Sequence, residues 1–237
     1  MSINEPIYCS IEHHATLFAL FSKHTIETFK ENGSGLIYKA VDIYGHERGN
    51  RMAERAVENG DSLNFVNSQA YGEWAPQKGE MEMCLISTNP EFINGVTKCP
   101  WCAAWKKHDL LEYGRNYCIN IDDAVFNGFN SNFHMSATSN LSFGDDHCEF
   151  HWQTPLTEKA AKDLANKKKD LGASCTRDFN FHTAHLLYSF SKTIRNELSS
   201  DGNLIISKVL DDYVKLFGHE YLDVLESEFG EEYFYAK

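Results

Sequence analysis

Four cysteines near the middle of the chain have the type and spacing for metal or thiol chemistry. Cys99-Pro100-Trp101-Cys102 is a CxxC element, followed by Cys118 and Cys148. Two thiolates so spaced can clasp one tetrahedral metal ion from a tight turn, and the two later cysteines could complete four ligands. The later gaps are longer and less equal than those of a zinc ribbon. CxxC at a helix start also suits thiol redox chemistry, which calls for strand and helix alternating around it. That alternation is not clear here. The plain alternative is buried thiols that pack as small hydrophobes.

Other residues could act by charge and proton transfer. Cys118 and Asp122 are four apart on a predicted helix and so face the same way. An aspartate raises a neighbouring thiol's pKa, unless it orients a histidine or binds a cation. His134, His147 and His151 are the histidines within reach along the chain. His182 and His185 lie one turn apart on a later predicted helix, spaced to face one cavity or simply to fill a core. Arg48 and Arg51 share a face beside Gly45 and Gly49. Two guanidinium groups there could grip a carboxylate, and salt bridges to Glu47 and Glu54 are the alternative. Walker, GxGxxG, HExxH, GxSxG and kinase signatures are missing from the sequence.

The elements that must position these residues fall into three stretches. Residues 11–75 read as a helical hairpin, with Leu17, Phe18, Phe21, Ile26 and Phe29 on one face. Gly33-Ser34-Gly35 is the expected break and Gly60 the expected end. Residues 80–153 read as a central α+β unit. In it, Glu82–Ser87 is a strand, Trp101–Lys107 and Tyr113–Phe126 are helices, and His134–Ser142 and His147–Gln153 form a hairpin around Gly144-Asp145-Asp146. Residues 157–237 read as a second helical hairpin. The two ends also resemble each other. His13, Ala15, Leu17, Phe21, Ser22, Lys23, Gly33, Ile37 and Lys39 recur at constant offset as His182, Ala184, Leu186, Phe190, Ser191, Lys192, Gly202, Ile206 and Lys208. The expected class is therefore α+β in one domain, a small antiparallel sheet with helices, flanked by N- and C-terminal helical hairpins.

Composition narrows the function classes. The 237 residues carry 22 basic and 34 acidic side chains, a net charge of −12. That acidity argues against nucleic acid as partner. No apolar run approaches the ~18 residues that cross a bilayer, so no membrane role is expected. Seven cysteines, with no export signal at the N-terminus, suggest reduced thiols in the cytoplasm.

Several segments resemble a known family. They are Tyr44-Gly-His-Glu-Arg-Gly-Asn-Arg-Met-Ala-Glu-Arg-Ala, Cys99-Pro-Trp, Leu111-Glu-Tyr-Gly-Arg-Asn-Tyr-Cys118-Ile-Asn-Ile-Asp122, Gly128-Phe-Asn, and Leu141-Ser-Phe-Gly-Asp-Asp-His-Cys148-Glu-Phe. They look like the L-2-amino-thiazoline-4-carboxylic acid hydrolases, over about His14 to Phe217. The resemblance implies hydrolytic opening of a small cyclic isothiourea-type ring bearing a carboxylate. The later half is also similar to the vinyl-reductase-type ligand-sensing domain, some members of which hold zinc on such cysteines. Carried over, that implies one zinc or iron ion on Cys99, Cys118 and Cys148. Asn140 stands near the place of a further sensing-domain cysteine, which would leave the metal site open.

Two catalytic arrangements follow from the resemblance. In one, Cys118 is the nucleophile, Asp122 binds the cationic amidine and His134 shuttles protons. In the other, a metal on the three cysteines activates water. Arg48 and Arg51, with His182 and His185, are the expected substrate contacts. The leading reading is a hydrolase with a small-molecule substrate, and a homo-oligomer is allowed. The rival is a non-catalytic small-molecule sensor with a cysteine metal site.

Overall fold

The computed structural model describes residues 7–229. Among the described residues, ten α-helices and four strands follow one another in the order α1 (Ile11–Phe29), α2 (Glu31–Glu58), α3 (Phe65–Ala70), β1 (Glu82–Ser87), β2 (Ile93–Lys98), α4 (Pro100–Lys107), α5 (Leu111–Gly114), α6 (Ile121–Phe129), β3 (Ser136–Ser139), β4 (Cys148–His151), α7 (Glu158–Leu171), α8 (Phe179–Leu198), α9 (Ser200–Phe217) and α10 (His219–Phe229). The class is α+β, with the small sheet in the middle of the chain and helices at both ends.

The chain divides into two compact units. The first holds the chain up to Ala40, Ala103–Asn116 and the chain from Asp178 on. Its core is aromatic. Phe18 and Phe21 of α1 meet Phe190 of α8, with ring centroids 5.6 and 5.5 Å apart. The Trp105 indole, fully buried, donates to the Ala15 carbonyl at 2.8 Å.

The repeated hairpin is visible in this unit. Lys30 ends α1 with φ 54°, ψ −125°, and Ser199, its equivalent, ends α8 with φ 50°, ψ −120°. Gly33 and Gly202 then lie against the preceding helix at matching places. A Cβ on Gly33 would sit 2.5 Å from the Thr25 carbonyl oxygen, and one on Gly202 would sit 2.8 Å from that of Ile194. The expected break at Gly33-Ser34-Gly35 is therefore displaced to Lys30. These glycines are inside α2, where Gly33 serves close helix approach rather than a turn.

The second unit holds Val41–Cys102 and Tyr117–Arg177. Its sheet has the order β1-β2-β4-β3, antiparallel throughout. The β1 segment matches its sequence expectation, and β3 and β4 form the expected hairpin. Strand β2 was not foreseen: Asn94 and Gly95 interrupt its apolar alternation, and Gly95 is needed because a side chain there would press on the Cys148 carbonyl oxygen, 2.8 Å away.

The expected helix over Tyr113–Phe126 is also broken. A 3-10 turn covers Arg115–Ile119, and Asn120, at φ −146° and ψ 0°, separates it from α6. Cys118 and Asp122 therefore belong to different elements and do not share one helix face.

Candidate functional site

Within the second unit, α2 crosses α6 through glycines. A Cβ on Gly45 would fall 2.5 Å from that of Ala124, and one on Gly49 would meet the Phe129 nitrogen at 2.6 Å. Only hydrogen at those positions lets the backbones approach so closely. Arg48 of α2 acts electrostatically on Asp122 in the first turn of α6, and Tyr44, one turn earlier on α2, acts with it on Tyr117 in the preceding 3-10 turn.

Arg48 is 4% exposed. Its guanidinium lies over the Trp74 ring at 3.6 Å, and Trp74 stacks on Trp101 at 4.6 Å. Arg48 Nε is 3.7 Å from a Glu73 carboxylate oxygen, too long for a hydrogen bond. Arg48 Nε has no hydrogen-bond partner among the described residues.

Glu73 is fully buried and is held chiefly by other arginines. Arg51 grips it with two hydrogen bonds, 3.2 and 3.0 Å, and Arg55 lies 3.1 Å away. Arg55 also donates to the Cys175 carbonyl at 2.8 Å. Arg51 is thus committed to the protein itself. Arg48 is the guanidinium whose hydrogen-bonding capacity remains. Glu73 is thus a carboxylate partner of these arginines that their spacing on α2 did not indicate. Glu73 was missed because it stands alone in Gly72-Glu73-Trp74, outside any periodic element.

Asp122 stands at the start of α6. Burial pushes its carboxyl up to about 6, against the opposing pull of the Arg48 charge. A carboxyl so placed can exchange protons near neutral pH. Burial likewise raises the Tyr44 hydroxyl to about 12 and that of Tyr117 well above its usual value. Both remain neutral hydrogen-bonding groups. Cys118 is pushed well above the ordinary thiol range, by burial first and also by Cys99, Asp122 and Cys148. It lacks the electropositive surroundings that create a nucleophilic thiolate.

The family model for L-2-amino-thiazoline-4-carboxylic acid hydrolase matches residues 9–152, more than half of the chain. The chain belongs to that family. No curated protein and no solved structure matches it significantly. The family match takes in Arg48, Arg51, Glu73, Cys118, Asp122, His134 and Cys148, and ends before His182 and His185.

The remaining candidates of this hydrolase-family chain are dispersed. His134 is 56% exposed on its side chain and lies 3.4 Å from Asp123, not Asp122. It lines a cleft of about 240 Å3 with Phe65, Phe126 and Trp152. His182 and His185 lie in the first unit, buried on α8 beside Phe179 and Phe181.

All seven cysteines are free thiols. Cys99, Cys118 and Cys148 are near enough to influence one another's ionisation, and burial raises all three, Cys99 to about 12. Yet among the described residues no three His, Cys, Asp or Glu side chains are arranged to hold a metal ion. As folded, the set does not fit a zinc or iron ion. The thiols instead surround the 3-10 turn Leu141–Phe143. Cys102 Sγ donates to the Leu141 carbonyl at 3.7 Å, the Leu141 N–H donates to Cys148 Sγ at 3.4 Å, and Ser142 is within bonding reach of Cys118.

No helix among the described residues is long and apolar enough to cross a membrane.

Proposed function

We propose that the chain hydrolyses a small cyclic amidine or isothiourea bearing a carboxylate, with 2-aminothiazoline-4-carboxylate as the model substrate. The observation that carries this reading is the pairing of a buried, incompletely bonded Arg48 with an Asp122 that titrates near 6. Arg48, braced by Trp74 and Glu73, binds the substrate carboxylate. The ionised Asp122 takes one proton from water as the water oxygen bonds to the carbon between sulfur and nitrogen. One ring bond to that carbon then breaks, and the proton passes from Asp122 to the leaving atom. Cys118 stays a neutral thiol in this reaction.

The test is hydrolysis of 2-aminothiazoline-4-carboxylate followed by chromatography and mass spectrometry. Arg48→Lys, which loses the planar fork, raises KM about 10-fold or more with a smaller effect on kcat. Asp122→Asn lowers kcat by about 10²–10⁴-fold. Cys118→Ala keeps kcat within about 10-fold, because the thiol supplies no electrons. Binding of carboxylated thiazolines without turnover by the wild-type chain would sink the hydrolase reading in favour of a sensor.

A further inference from the structure

Asn120 is the residue between the 3-10 turn and α6, and it stands at the position of a helix cap without acting as one. Its side chain makes no hydrogen bond to the first turn of α6. It is 9% exposed, and neither Oδ1 nor Nδ2 has a hydrogen-bond partner among the described residues. A buried amide left empty at both ends is expensive, because donor and acceptor each lose their water. The same helix cap, had the amide turned back to it, would have satisfied one of them. Three residues earlier is Tyr117 and two residues later is Asp122, and both lie in the field of Arg48.

We infer that the Asn120 amide reads the amidine edge of the ligand at this site. A neutral ring N=C–NH2 edge offers one acceptor and one donor side by side. The amide offers the complement: Nδ2 donates to the ring nitrogen, and Oδ1 accepts from the exocyclic amine. The two bonds satisfy both orphaned atoms at once, and they select rings with a 2-amino group over rings that carry only the carboxylate. Arg48 holds the carboxylate end in either case. This inference rests on the proposed location of the substrate beside Arg48 and Asp122. It adds which ring substituent is recognised, and by which residue.

Binding can be separated from turnover with two aromatic, non-hydrolysable probes, 2-aminothiazole-4-carboxylate and thiazole-4-carboxylate, titrated by calorimetry. They differ only in the amine. The wild-type chain is expected to bind the amino ring about 10-fold or more tightly than the other, the scale at which a site built for a polar group rejects its absence. Asn120→Ala is expected to bind both equally, at the affinity the wild type shows for thiazole-4-carboxylate. Should Asn120→Ala fail to fold, Asn120→Ser preserves a small polar group and reads the same ratio. An unchanged preference in a folded Asn120 variant, or no preference in the wild type, overturns the inference. Failure of the hydrolase reading is a different result: the amino ring is preferred through Asn120, but 2-aminothiazoline-4-carboxylate is not consumed.

Discussion

Asp122 ionises where burial disfavours the ion, and this has two measurable consequences of opposite sign. Its pKa is about 6 in the folded chain, against about 3.9 in an unfolded one. A folded-state pKa above the unfolded value means that the native chain binds the proton more tightly. The stability this contributes is present at low pH and is lost as pH rises through about 6. Replacing the carboxylate by a neutral amide removes that loss, so Asp122→Asn should raise stability near neutral pH by about 1–3 kcal/mol. Thermal melting at acidic and neutral pH checks this: the gain should shrink well below about pH 5. Activity should move the other way, with kcat/KM of the wild type falling as pH drops through about 6. A variant both inactive and less stable at neutral pH would contradict the pairing. This residue was legible from its four-residue spacing to Cys118, although the helix supposed to justify that spacing is interrupted at Asn120. Arg48 was legible too. Glu73, Trp74 and Asn120 were not, because each belongs to irregular backbone, where neither a helical nor a strand period marks the inward face.

The helices show where glycine is required and where it is merely tolerated. At Gly49 a methyl group would fall on the Val125 carbonyl oxygen and on backbone atoms of Gly128 and Phe129, none of which is a side chain that can swing away. Gly49→Ala should cost about 3 kcal/mol or more, or force α2 and α6 apart. Gly35, in the same helix, has nothing within 4 Å of the added methyl. Gly35→Ala should therefore stabilise by about 0.5–1 kcal/mol through helix propensity alone. Urea titration of the two variants separates packing from propensity. The helix ends make a second comparison. Lys30, Gly172 and Ser199 share nearly one conformation, with φ of 54°, 53° and 50°, and only one of them is glycine. Ser199 caps nothing with its side chain. Lys30→Gly and Ser199→Gly should each stabilise by about 0.5–1 kcal/mol, by relieving a positive φ that a Cβ resists, raising Tm by about 1–4 °C each. The repeated hairpin was readable because its two copies keep the same residues at the same offset. The position of its bend was not, because the chain turns on a lysine and a serine and uses the nearby glycines for packing.

At the scale of the whole chain, a net charge of −12 stands against the proposed binding of a substrate that carries a carboxylate. The global field repels an approaching anion, and the attraction is local. Around Glu73, one buried carboxylate faces three arginines, and Arg48 among them is nearly withdrawn from solvent. Salt acts unequally on these two terms. Charges spread over the surface interact with a distant ligand across tens of ångströms, and at about 150 mM salt the screening length has shrunk to ~8 Å. A buried ion pair at contact is screened far less. Raising salt should therefore remove more repulsion than attraction. The affinity for 2-aminothiazole-4-carboxylate, a monoanion, should improve by about twofold from about 10 to about 150 mM salt. A protein that gathers anions by a basic surface shows the reverse, a steep loss. Calorimetric titration at the two salt concentrations decides between them. A tenfold weakening would mean that exposed cations, and not the arginine buried against Trp74, carry the recognition of the carboxylate.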